Sequence, residues 1–247
     1  MSDTSMTLID HLEELRKVII RIVIAVLVGT VVSFALFEDV LFIIINAPIA
    51  GKDIQLAQLA VTEVFITRLK ISLLSGFIIT IPFTAWQIWS FILPALYAHE
   101  RKYVYMIAPM SAILFAAGVV FGYYVVLPLA LLFFIGQGAD LLPMLSFARY
   151  VAFVLGFLLP FGLVFQLPLA VVFLVKIGAA DYKFFKAKRK YAIFIIFIIS
   201  AVLTPADVVS QLLMAGPVIL LYEISILIAW LIRKKVKEED EETDVIS

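Results

Sequence analysis

Two adjacent carboxylates, Glu13 and Glu14, sit in the segment Asp10-His-Leu-Glu-Glu-Leu-Arg-Lys17, directly ahead of the apolar run 18–37. Helical spacing places Leu8, Leu12, Leu15 and Ile19 on one face and Asp10, Glu13, Glu14 and Lys17 on the other. Acid held at the mouth of a membrane span can serve a basic ligand. It can equally be a solvated helix face, with Glu13 paired to Lys17 four residues on, worth roughly a few tenths of a kcal/mol. A further carboxylate, Glu100, lies in Pro94-Ala-Leu-Tyr-Ala-His-Glu-Arg-Lys-Tyr103. In the first turn of a following helix it would complement the helix dipole. Glu14 and Glu100 also share one membrane face, which otherwise carries most of the basic residues. A cationic ligand needs local acid there, and two neighbouring guanidinium groups can each be held by one carboxylate through paired hydrogen bonds.

Polar groups inside apolar runs are costly and mark candidate functional positions. Glu223 lies nine residues before the end of the last run at Ile232, and Gln166 nine residues before Val175 in an earlier one. Equal offsets predict equal depth, about 14 Å from the inner end, so a Gln166–Glu223 hydrogen bond is geometrically reasonable. It would be either a satisfied helix–helix pair or a polar spot for a partner helix or a proton. Neither central run contains Lys or Arg, so Glu223 reads as an acid without a counter-charge. Pro160 and Pro168 flank Gln166 and predict a kink, because proline removes a backbone donor. Asp207 and Gln211 stand at the outer start of the last run, where Asp207 is placed to cap the helix.

Other chemistry has no support in the sequence. The two histidines, His11 and His99, are far apart, and there is no cysteine. Neither a His-Glu-x-x-His nor a Cys-x-x-Cys pattern argues for a metal. No Gly-x4-Gly-Lys-Ser/Thr loop argues for nucleotide hydrolysis, and no Gly-x-Ser-x-Gly elbow supplies a nucleophile. No cofactor is implied, and nothing points to nucleic acid. Any work done must draw on the membrane potential or on a partner.

The elements that must hold these residues are membrane helices. Of 247 residues, 64% are hydrophobic, and the mean hydropathy is +1.12; soluble domains keep their apolar fraction nearer half. A crossing needs ~20 apolar residues. Six predicted spans fall at about 18–37, 66–93, 104–127, 150–175, 191–203 and 208–232. The last two form a short pair, because the fifth run has only 13 apolar residues. The expectation is an all-α membrane protein of six transmembrane helices in a concave bundle, a single polytopic domain over 1–247. An amphipathic segment (1–17) precedes it and a charged tail (233–247) follows. Fifteen Lys and Arg fall on the side of the termini and four on the other, so both termini are predicted to be cytoplasmic. The polar start argues against a removable signal peptide. The long outer loop 38–63 contains Asn46-Ala-Pro48. In the second outer loop, 128–149, the apolar piece 129–135 predicts a short helix lying on the interface. Gly118-x-x-x-Gly122 would permit close helix approach.

These residues together resemble the TatC family, the receptor subunit of the twin-arginine protein translocase. The matching stretches are His11-Leu-Glu-Glu-Leu-Arg16, Asn46-Ala-Pro48, Pro94-Ala-Leu-Tyr-Ala-His-Glu-Arg101, Phe165-Gln-Leu-Pro168, Leu203-Thr-Pro-Ala-Asp207-Val-Val-Ser-Gln211 and Leu221-Tyr-Glu-Ile224. They occur in the family's order and span almost the whole chain. The resemblance implies a receptor and scaffold rather than an enzyme, in the cytoplasmic membrane of a prokaryote. It would bind arginine-pair signal peptides of folded cargo proteins and work with single-span subunits of the TatA/TatB type, as a homo- and hetero-oligomer, driven by the proton-motive force. By the same resemblance Glu14 and Glu100 recognise the arginine pair, with Arg16, Tyr97 and Arg101 on the same surface. Pro48 is an outer-loop proline required for activity, and Asp207 and Gln211 are an outer polar pair important for transport and partner contact. Gln166 departs from the family's frequent glutamate and keeps only a hydrogen-bonding role. The alternative reading is a six-span secondary transporter with Glu223 as its coupling carboxylate, although such transporters show two matching halves and this chain shows none.

Overall fold

The acidic segment and the first apolar run form one continuous helix, α1 (Leu8–Leu36), since nothing between them breaks it. A computed structural model of the chain describes residues 8–50, 54–97, 101–137, 144–203 and 208–246, with side chains as far as residue 232 in the last helix. After α1 come α2 (Glu38–Asn46), β1 (Gln55–Ala57), α3 (Glu63–Ile92), α4 (Arg101–Phe121), α5 (Leu127–Gln137), β2 (Met144–Ser146), α6 (Phe147–Val164), α7 (Leu167–Lys176), α8 (Tyr182–Ala187), α9 (Arg189–Leu203) and α10 (Val208–Ile246). Among the described residues, five helical stretches are long and apolar enough to cross a membrane: Ile9–Leu36, Glu63–Ile92, Arg101–Gly136, Phe147–Lys176 and Val208–Ile232. α9, with 15 residues, reaches about 22 Å.

Two departures from the sequence reading concern the loops. The loop at 38–63 holds α2, and its strand β1 pairs in parallel with β2, Gln55 opposite Met144 and Ala57 opposite Ser146. The piece at 129–135 is no separate interface helix. α4 runs through a π-turn (Gly122–Val126) into α5, so the third apolar stretch extends well past its predicted end at 127. Pro128 does not end the helix: it lies just past the π-turn, and such a local adjustment lets a membrane helix run on through a residue without an N–H.

The helices divide into two compact units. In the first, residues Met1–Ile113 with Leu142–Ala152, α1 and α3 pack along each other. Their closest approach is Gly29 on Gly76: a Cβ on Gly76 would lie 2.4 Å from the Thr30 nitrogen. Thr30 and Thr80 turn their hydroxyls back to their own helices, onto the Val26 and Gly76 carbonyls at 2.7 and 2.8 Å. Small residues and self-satisfied hydroxyls let the two backbones meet closely at this point.

The second unit comprises Leu114–Leu141 and Phe153–Ser247. Gly118 and Gly122 both lie against Phe161 of α6, and Gly162 receives the Phe115 ring, so the glycine pair does serve close approach. The predicted kink is a full break. α6 stops at Val164, and Pro168, which has no N–H to offer the Val164 carbonyl, restarts the chain as α7. α7 and α9 both pack on α10.

Candidate functional site

Glu14 does not stand on the outer, solvated face of α1. The half-buried and buried positions of this helix include His11, Glu14, Leu15, Val18, Ile22, Gly29, Thr30 and Ser33, while Leu12 and Ile19 are more than half exposed. The expected separation of faces is corrected here. In lipid the apolar stripe has no reason to turn inward, and small and polar groups make the helix contact instead. His11 stacks on Phe91 of α3 with ring centroids 4.3 Å apart, which orients the start of α1. Its Nδ1 lies 4.0 Å from Glu14 Oε2. That oxygen is buried without a hydrogen-bond partner among the described residues. Glu13 is well exposed and pairs with Lys17 at 3.2 Å, as its spacing predicts. The two adjacent acids therefore have different circumstances: one satisfied at the surface, one held half-buried with acceptor capacity to spare. Arg16, Tyr97 and Arg101 belong to the same unit and are exposed. Glu100 lies outside the described residues, as does Asp207.

At the other end of this unit, Pro48 occupies a 3₁₀ turn (Ala47–Ile49) that closes α2. Proline has no N–H to continue the ladder of α2, so the helix ends in this turn. Ile49 is buried beside it, Asn46 donates to the Phe42 carbonyl at 2.9 Å, and Tyr150 reaches from α6 to donate to the Ile45 carbonyl at 2.7 Å. The strongest polar junction here involves a residue the sequence reading passed over. The Glu63 carboxylate accepts from the Leu59 and Ala60 amides at 2.6 and 3.1 Å through one oxygen, and from the Ser146 hydroxyl and the Ala148 amide at 2.7 and 2.9 Å through the other. Its sequence signal is an acid in the first turn of a long apolar helix; its partners Ser146 and Ala148 lie more than eighty residues away and carry no signal.

In the second unit, Glu223 has a cationic partner, which overturns the expectation that it had none. Arg189 donates through Nη2 to Glu223 Oε2. The physical reason is the length of α9. Arg189 is the first residue of this 15-residue helix, and Glu223 stands 15 residues beyond the first residue of the antiparallel α10. The expected depth was counted from the end of the apolar run. α10, however, continues without interruption past Ile232, so that end does not mark where the paired helices stop. Gln211 donates to the Phe197 carbonyl at 3.0 Å and ties the start of α10 to α9. Gln166 occupies the N-cap position of α7 at the α6–α7 break, with its backbone carbonyl accepting from the Ala170 amide at 2.9 Å and no cap bond from its side chain. Tyr222, adjacent to Glu223, donates to the Phe185 carbonyl at 2.8 Å and pins α8 to α10.

Residues 10–217 match the family described as Sec-independent protein translocase protein (TatC). The chain is 44% identical over 237 residues to the Sec-independent protein translocase protein TatC of Carboxydothermus hydrogenoformans, covering 95% of this chain and 97% of that one. It is 41% identical over 238 residues to that of Aquifex aeolicus, covering 94% and 98%. Among solved structures, it superposes on a twin arginine translocase receptor, TatC, with a TM-score of 0.82 at 41% identity, covering 90% of this chain and 98% of that one.

Proposed function

The chain belongs to the TatC family of Sec-independent protein translocases, and from that premise we propose which of its residues do the receptor's work. The single observation that carries the binding site is Glu14 Oε2, buried on the inward face of α1 with no hydrogen-bond partner among the described residues. A guanidinium presents two N–H groups side by side to such a carboxylate. Glu14 binds one arginine of an arginine-pair signal peptide, and Glu100 the other. Arg16, Tyr97 and Arg101 border the site, where their basic members keep non-specific cations away.

The six-crossing arrangement with cytoplasmic termini is part of the same reading. It is supported by the fifteen-to-four division of Lys and Arg and by the antiparallel α9 and α10, whose polar ends match. Pro48, Gln211, Asp207, Gln166 and Glu223 contact single-span subunits of the TatA/TatB type. Transport of folded cargo draws on the proton-motive force across the cytoplasmic membrane. The transporter alternative finds no support, since Glu223 is engaged by Arg189. The test is retention. Purified protein should hold an arginine-pair signal peptide and release the same peptide with both arginines changed to glutamine; equal retention of the two would sink the assignment.

A further inference from the structure

A cavity of about 490 Å³ opens between α8, the start of α9 and the middle of α10. Its lining divides by chemistry. Lys186, Arg189 and Glu223 give it two cations against one carboxylate. Glu223 takes up Nη2 of Arg189, while Arg189 Nε is buried with no partner among the described residues. A buried N–H without an acceptor is costly, so this corner favours an additional anionic oxygen. The apolar lining is Leu220, Ile224 and Leu227, a helical stripe whose two leucines are more than half exposed, as side chains facing acyl chains are. Tyr182 and Trp230 also line the cavity. Both are amphipathic aromatics of the kind enriched where bilayer meets water.

We propose that this cavity binds an anionic phospholipid, with its phosphate against Lys186 and the Arg189 Nε–H and one acyl chain along Leu220, Ile224 and Leu227. Basic pockets between membrane helices are the sites that hold such headgroups. A zwitterionic lipid would add an ammonium to a site already carrying two cations. A soluble phosphate would satisfy the cations and leave the apolar wall unused. The bound lipid satisfies Arg189 and holds α8 against α10 beside the Tyr222–Phe185 bond.

Native mass spectrometry of the full-length protein in detergent, with equimolar phosphatidylglycerol and phosphatidylcholine, reads the occupant directly. One phosphatidylglycerol should be retained in preference to phosphatidylcholine. Lys186→Gln should lower that preference about five-fold, the effect of one cation beside an anionic headgroup, and Lys186→Arg should preserve it. Inorganic phosphate in excess should not displace the lipid. Equal retention of both lipids, or a preference unchanged in Lys186→Gln, would overturn the site. Displacement by inorganic phosphate would make it an ion site and overturn the lipid.

Discussion

Arg189, the first residue of α9, donates to the carboxylate of Glu223 in the middle of α10. The pair links the 15-residue α9 to the 39-residue α10, at a level set by the length of the shorter partner. Both side chains are about two-fifths exposed, so the attraction is partly screened, and the coupling should be about 1 kcal/mol. A double-mutant cycle with Arg189→Gln and Glu223→Gln, followed by thermal unfolding in detergent, measures it. Strict additivity would show the two groups to be energetically independent.

The two neighbouring acids on α1 should separate in their effects. Glu14→Gln should weaken arginine-pair peptide binding by about 1.5 kcal/mol, the low end for a charge-assisted contact at a half-exposed group. Glu13→Gln should leave it unchanged, because Glu13 already pairs with Lys17 at the surface. Glu100→Gln should act in the same direction as Glu14→Gln. Titration of a fluorescent signal peptide against each variant checks this, and equal losses for Glu13 and Glu14 would indicate only a general acidic attraction.

Glu63→Gln should loosen the junction of two distant segments while leaving the rest of the protein intact. The amide side chain keeps one acceptor oxygen and turns its NH2 toward donors. Hydrogen exchange should accelerate at the amides of Leu59, Ala60 and Ala148, which the carboxylate now holds. Amides of α9 should exchange as before. Unchanged protection at all three amides would mean that the strand pairing alone secures them.

Gly76→Ala should destabilise the α1–α3 contact, because its Cβ would lie 2.4–2.7 Å from the backbone of Gly29 and Thr30. Overpacking against backbone costs typically 1–3 kcal/mol, and here the neighbour cannot rotate away. Gly216→Ala meets nothing within 4 Å and should be neutral or slightly stabilising. Melting temperatures of the two variants in the same detergent decide it.

Pro48→Ala should reduce export while leaving signal-peptide binding largely intact, since Pro48 shapes the turn after α2, at the opposite end of α3 from Phe91. Parallel loss of binding, export and protein abundance would mark it as a folding determinant instead.

The sequence determined what depends on local composition. Apolar runs of sufficient length fixed the long helices, because a bilayer crossing is a requirement on consecutive residues. The glycine pair in the third run, the proline break beside Gln166 and the Glu13–Lys17 pair were legible for the same reason: cause and effect lie within a few residues or on one helix. The family pattern carried Glu14 and Pro48 as candidate positions.

Tertiary structure decided which faces meet and which charges find each other. Hydrophobicity cannot tell the inward face of α1 from the lipid face, because lipid tails are as apolar as leucine; only packing on α3 turned Glu14 and His11 inward and Leu12 and Ile19 outward. The depth of Glu223 depended on the length and register of α9 beside it, and so its Arg189 partner was hidden in a stretch read as loop. Glu63 gained its importance from Ser146 and Ala148, brought to it by a strand pairing. In each case the deciding contact joins segments that chain order keeps apart.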